Sequence, residues 1–237
     1  MMTTITANVR VQRWLEFVVL ATIVWVAGMS NEVSRFDKKN NPHLGRWDSP
    51  VVALELAGSP DRVTDILGTE SRDHNVQVMQ YNTYMDCVFI VLYALVFWLF
   101  ADAYRTGSSL PPLIKTAIVV AAIFDYAENF GLLRGLRDVA NLSSSTVSFT
   151  HAVSLIKWSA FALALWMLGW LLWTITSHVV PHSGMLRVIM VFTFLAGAIT
   201  TAGVLANSAR VMGLVSVALL PVLLLTVVVF LRRQTSN

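Results

Sequence analysis

Cysteine is almost absent from the chain, with Cys87 alone among 237 residues. No internal disulfide can form, and the position of Cys87 in an apolar run is that of a small buried hydrophobe. Charge is scarce as well. Lysine, arginine, aspartate and glutamate make up 13% of the residues, where soluble domains carry about 25%. Net charge is only +3, so the pI near 9.2 reflects few acids rather than a basic face. Nothing in the chain resembles a basic, aromatic-interleaved surface for nucleic acid. HExxH and Glu-x-x-His motifs are missing and His151 has no histidine nearby, so zinc and di-iron chemistry have no support. No short-period repeat is visible, and low complexity is confined to Ser143-Ser144-Ser145.

What the chain has in quantity is apolar length. Hydrophobic residues make up 56% of it, and a membrane span needs about 20 of them in succession. Six stretches meet or approach that length: 14–29, 81–104, 110–133, 151–176, 185–205 and 211–231. They predict an all-α, polytopic membrane protein forming one membrane domain. Arg10 and Arg13 precede the first stretch as they would in a signal peptide, yet Ala27-Gly28-Met29-Ser30 is a poor cleavage site. A retained signal-anchor helix is therefore expected.

Orientation follows from the basic residues near span ends. With the N-terminus inside, the short inner segments hold Arg10, Arg13, Arg105, Lys115, Arg187, Arg232 and Arg233. The short outer loops then hold Arg134, Arg137 and Arg210. Both termini are thus placed in the cytoplasm. Residues 30–80 fall outside, and their six basic residues carry little weight because long segments translocate largely regardless of charge. Within this segment, SPVVALELAGSPDRVTDILG predicts two short amphipathic helices. Ser49-Pro50 and Ser59-Pro60-Asp61 suit helix starts, and Gly58 suits the stop between them. The pair either caps the bundle or forms a lid or entry surface for a lipid.

Ionisable residues inside spans are rare and mark function by default. Here they are Asp86 in span two, Asp125 and Glu128 in span three, and Lys157 in span four. With a rise of about 1.5 Å per residue, Asp86, Asp125 and Lys157 all lie about 7–9 Å below the outer surface. Asp125, Glu128, Asn129 and Leu132 share one face of their helix. Asn82, Asp86 and Tyr93 form a stripe on span two. Thr150, Ser154 and Lys157 form another on span four, with His151 one position off, and Thr200 and Thr201 reach similar depth on span five. A polar pocket among spans two to four, open to the outer side, accounts for these placements together.

Charge balance is then unmet, because three acids face one lysine. A carboxyl that retains its proton, a basic group from Arg134, Arg137 or His151, or a bound cation would restore it. For a cation, Asp86, Asp125 and Glu128 as oxygen ligands suit calcium or magnesium. The structural alternative is a helix-tying ion pair, Asp86–Lys157 or Glu128–Lys157, with Asn129 bonding across an interface. Trp166, Trp170 and Trp173 read as an aromatic belt, and the small residues of GAITTAG read as a helix-packing face.

ALELAGSPDRVTDIL, then YMDCVFIVLYAL, FDYAENFGLLRGL and SLIKWSAF, resemble a pattern found in uncharacterised bacterial multi-pass membrane proteins. In these, a FELAGS-like loop precedes an Asp-x-x-Glu-Asn membrane segment. The resemblance covers about residues 50–165 and carries no activity with it. It implies a bacterial inner-membrane location and adds Glu55, which stands in Leu54-Glu55 where the pattern has Phe-Glu. Three functions remain open at this point. One is an enzyme for a lipidic or isoprenoid-like substrate, with Asp125 and Glu128 as acid and base. Another is a non-catalytic accessory or lipid-binding subunit, alone or in an oligomer. A proton- or cation-coupled carrier is the third. The expected topology is testable with cysteines introduced into a Cys87→Ser background. A membrane-impermeant maleimide should label Ser145→Cys in intact cells and label Ser236→Cys only after permeabilisation.

Overall fold

The computed structural model describes residues 9–38, 44, 48–103, 109–178 and 184–214. Eight α-helices occur among them: α1 (Val9–Val33), α2 (Pro50–Glu55), α3 (Pro60–Leu67), α4 (Arg72–Ala103), α5 (Leu110–Arg137), α6 (Ser144–His178), α7 (Gly184–Leu205) and α8 (Ala209–Leu214). A 3-10 turn at Val139–Asn141 joins α5 to α6, and no strand is present among the described residues. Helices α1, α4, α5, α6 and α7 are each long and apolar enough to cross a membrane. The sixth predicted span, 211–231, lies outside the described residues beyond its first turn.

The apolar faces have no soluble explanation. Only 22% of the apolar window of α1 is buried inside the chain, and 33% of the windows of α4, α5 and α7. Large side chains such as Phe17, Trp98, Ile123, Phe130 and Val191 stand exposed on those helices. A soluble monomer rarely shows apolar surface on that scale, whereas lipid accepts it without cost. The chain is an integral, all-α membrane protein.

The long helices pack in sequence, α1 on α4, α4 on α5, α5 on α6 and α6 on α7. Their interior includes Leu15, Ile90, Phe97, Ile114, Leu165 and Leu172. Helix α4 has 32 residues and α6 has 35, or about 48 and 52 Å, where the hydrocarbon core is about 30 Å thick. Both begin earlier than the apolar stretches within them, at Arg72 and Ser144. The early turns project from one end of the bundle, where they meet α2 and α3.

This capped end has a core of its own, with Phe36, Leu54, Ile66, Leu67, Met79 and Leu136 buried together. Its two short helices start for a local reason. Ser49 caps α2 by accepting from the Val52 amide, and Ser59 caps α3 by accepting from the Arg62 amide at 3.2 Å. In each case proline follows at the first helical position, where its missing N–H costs nothing. Gly58 and Gly68 take φ of +72° and +76°, a left-handed backbone that favours glycine. Asn75 ties the cap down, donating to the Leu67 carbonyl at 2.9 Å and accepting from the Asp37 amide at 2.8 Å. Lys38 donates to the Asp48 carbonyl at 2.6 Å. Burial lowers the Lys38 ammonium below its ordinary pKa, partly offset by the Asp48 charge.

Two further bonds fix α4 against its neighbours. Trp25 Nε1 of α1 donates to the Met85 carbonyl at 2.9 Å, and the Tyr126 hydroxyl of α5 donates to the Cys87 carbonyl at 2.7 Å. Helices α5 and α6 approach closely at Gly131, where a Cβ would overlap Thr150 Oγ1. Gly131→Ala should therefore cost about 1–3 kcal/mol of stability through overpacking, measured by thermal unfolding in detergent. Adding Thr150→Ala should recover most of that loss. Gly28→Ala, whose Cβ would meet only the mobile end of Met85 at 3.4 Å, should be close to neutral.

Candidate functional site

Close approach at Gly131 has a consequence one turn deeper. It brings the short side chain of Ser154 on α6 to Glu128 on α5, and its hydroxyl donates to Glu128 Oε2 in a short hydrogen bond. The same hydroxyl lies 3.3 Å from the backbone carbonyl of Glu55. Glu128 is wholly buried at 0% exposure, so each of its oxygens must find a partner inside the protein. Lys157, one turn along α6 from Ser154, supplies the other, with Nζ 2.7 Å from Glu128 Oε1.

Lys157 is the hub of the site. Its ammonium is also 3.2 Å from Asp125 Oδ1 and 3.2 Å from Glu55 Oε2. Three carboxylates from α2 and α5 thus surround one ammonium on α6, matching its three N–H donors. Further donors reach the same acids. The Tyr93 hydroxyl on α4 donates to the other Asp125 oxygen, Oδ2, at 2.9 Å, and Trp158 Nε1 donates to the same Glu55 Oε2 at 3.0 Å. The ammonium also stands 5.0 Å from the centre of the Trp158 ring. Below the cluster, Phe161 packs edge-on against Tyr93 and Trp158, and Phe97 packs beside it. This aromatic floor separates the charges from the apolar bundle.

The sequence-derived candidates divide into two groups. Asp125, Glu128, Lys157, Tyr93 and Glu55 meet in the cluster. Asp86 does not touch Lys157; it accepts from Asn129 Nδ2 at 2.8 Å, and that amide also lies 3.8 Å from Cys87 Sγ. The alternative Asp86–Lys157 ion pair is therefore replaced by a neutral donor, because Asn129 on α5 is nearer. Asn82, on the same stripe of α4, is buried at 1% exposure with neither amide atom hydrogen-bonded. His151 stands apart, with its buried Nδ1 unpaired.

Other expectations are corrected by the same contacts. Among the described residues Arg134, Arg137 and His151 bond to no carboxylate, so the outer side supplies no balancing base; an acid from the outer segment, Glu55, joins the cluster instead. Thr200 and Thr201 do not wall the pocket. Each bonds to a carbonyl of its own helix, at Ala196 and Gly197, and Thr201 also accepts from Trp166. Asp86, Asp125 and Glu128 do not form a metal-holding group among the described residues, since Lys157 occupies the space between the last two and Asn129 holds the first.

Trp158 and Ser154 are the site residues that sequence reading passed over as ligands of the carboxylates. Ser154 was visible on the polar stripe of α6. Trp158 had no signal of its own among the belt tryptophans of the same helix. Next to the cluster, toward the capped end, lies a small cleft between α5 and α6, lined by Leu54, Val63, Gly131, Leu136, Val147 and Thr150. This half-open cleft offers about 20 Å³ to water and suits a single water molecule rather than a substrate.

No protein-family model, curated protein or solved structure matches the chain. The chemistry must therefore be argued from the cluster itself. Removing the ammonium while leaving three buried acids should be severe. Lys157→Met is expected to cost about 3–5 kcal/mol, as for any buried charge set stripped of its partner. Trp158→Phe keeps the ring and loses one charge-assisted hydrogen bond, so about 1.5–3 kcal/mol is expected. Unfolding of the detergent-solubilised variants measures both, and equal stability of Lys157→Met and wild type would contradict the assigned hub.

Proposed function

We propose that the protein binds a lipidic small molecule at the Lys157 cluster and acts on it with Asp125 and Glu128 as the acid and base. One observation carries this reading: three carboxylates surround one ammonium, although a helix-tying ion pair needs only one. Surplus buried acid is costly to stability, and such cost is tolerated where chemistry uses it. The two α5 carboxylates also differ in setting. Asp125 accepts from a phenol and the ammonium, whereas Glu128 accepts from a serine hydroxyl and the ammonium. Unequal surroundings let paired carboxyls divide proton donation from proton acceptance.

Glu55 gives the outer segment a part in this. It comes from α2, the short helix of the 30–80 segment, so displacement of that helix would uncover the cluster and admit a ligand. On the expected topology the entry lies on the outer side of a bacterial inner membrane.

The second reading is a non-catalytic accessory subunit, in which the cluster ties the cap to the bundle. It is favoured by the partners that Glu55, Asp125 and Glu128 already have inside the protein. The two diverge in Asp125→Asn and Glu128→Gln, which keep shape and hydrogen-bonding capacity. On the ligand reading, native mass spectrometry shows a lipid-sized adduct on the wild-type protein, reduced at least tenfold in either variant while both stay monodisperse. An adduct of equal occupancy in all three, or none in wild type, supports the accessory reading instead.

A further inference from the structure

Asp86 is a carboxylate in a membrane-spanning helix with no cation beside it. Among the described residues its one hydrogen bond is from Asn129 Nδ2, at 2.8 Å. It is half-buried, unlike Glu128, so it can be reached without dismantling the Lys157 cluster. Asn82 adds a separate anomaly. It is 99% buried, the complement of its 1% exposure, and both its amide atoms lack a partner. An unpaired buried amide is unfavourable and asks for an explanation.

Helix geometry says where that amide points. Asn82 stands about 40° around α4 from Asp86 and about 20° from Tyr93. Both of those residues bond to α5, at Asn129 and Asp125. The Asn82 amide therefore lies in the α4–α5 seam, one turn above Asp86 and aimed at the same interface.

We propose that Asp86, Asn82 and Asn129 form a receptor for the ammonium head of a cationic amphiphile, the charged end of the small molecule acted on at the Lys157 cluster. The inference rests on the ligand reading above and names its substrate class. Three oxygen acceptors are available: the Asp86 carboxylate, the Asn82 carbonyl and the Asn129 carbonyl, whose own amide N–H is directed at Asp86. An alkylammonium carries three N–H donors to match. The protein already holds one ammonium this way, since Lys157 Nζ sits on three side-chain oxygens at 2.7–3.2 Å. In the second set, two neutral amides replace two carboxylates, which suits a guest that must also leave. A bare divalent ion fits less well, because it takes six to eight oxygens. The wider field favours a cation too, with Asp86, Glu55, Asp125 and Glu128 set against one lysine. Tyr126, exposed on α5 and bonded across to α4, offers apolar surface beside this seam along which a tail could lie.

The test uses full-length protein in uncharged detergent with three probes: dodecylammonium, dodecanol at equal mole fraction, and sodium chloride. Binding is read by calorimetry and by thermal unfolding. Wild type should bind dodecylammonium saturably, at one site and at least tenfold tighter than dodecanol. Asp86→Asn should lose at least tenfold in amine affinity, and Asn82→Ala at least threefold. Asn82→Ala should not lower the melting temperature of the unliganded protein, because it breaks no hydrogen bond. Equal affinity for amine and alcohol, or unchanged amine binding by Asp86→Asn, overturns the proposal. Sodium stabilising wild type but not Asp86→Asn, without amine preference, overturns it in favour of a metal-ion site. Should Asp86→Asn fail to fold, the wild-type ratio and the Asn82→Ala loss decide the matter. Failure of the ligand reading has a different signature: Glu128→Gln would retain the native adduct whatever the amine preference.

Discussion

A buried ammonium cannot be left unmatched, and around Lys157 that requirement organises much of the molecule. Its three donors draw in Glu55 from the outer segment and Asp125 and Glu128 from α5. Those acids in turn recruit Tyr93 from α4 and Ser154 and Trp158 from α6. The cap, which has its own apolar core, is thereby fastened to the membrane bundle through a polar contact inside the protein. Desolvation makes each link matter more than it would at a surface, where water would replace any partner lost.

The same arrangement sets the balance between order and chemistry. A single ion pair would join α5 to α6 at less electrostatic cost, so the extra acids are not explained by assembly alone. Their environments are graded rather than equivalent: a phenol at Asp125, a hydroxyl at Glu128 and an indole at Glu55. Beneath them the Phe161 floor excludes competing polar groups. Asp86 and Asn82 stand beside this core without being absorbed by it, and they are the groups whose bonding is least complete.

Much of this was legible in residue order. Long apolar stretches marked five membrane-length helices, because hydrocarbon demands unbroken helix. Ser49-Pro50 and Ser59-Pro60 stand at the starts of α2 and α3 because capping and proline geometry are local effects. Asp125, Glu128 and Asn129 could be set on one face by helical spacing alone. Partner choice could not be read in that way. Asp86 and Lys157 lay at similar depth, but depth says nothing of rotation about each axis or of a nearer neutral donor such as Asn129. Glu55 was visible only through a resemblance, since its contact with Lys157 joins residues about a hundred positions apart. Trp158 was hidden among tryptophans of the same helix whose rings face outward. Helices α4 and α6 continue beyond the apolar stretches that announced them, because polar turns there are supported by the cap rather than by lipid.

The hydrogen bonds from Trp25 and Tyr126 carry a consequence for α4. They reach the carbonyls of Met85 and Cys87, the residues immediately before and after Asp86, from α1 on one flank and α5 on the other. Rolling the helix by one residue would turn Asp86 by about 100°, out of the seam and toward hydrocarbon. A transmembrane helix with so little amphipathic contrast has weak means of choosing its own azimuth. Here two aromatic side chains act as a vernier lock, and the direction in which a membrane-embedded acid points is set by backbone oxygens rather than by the acid.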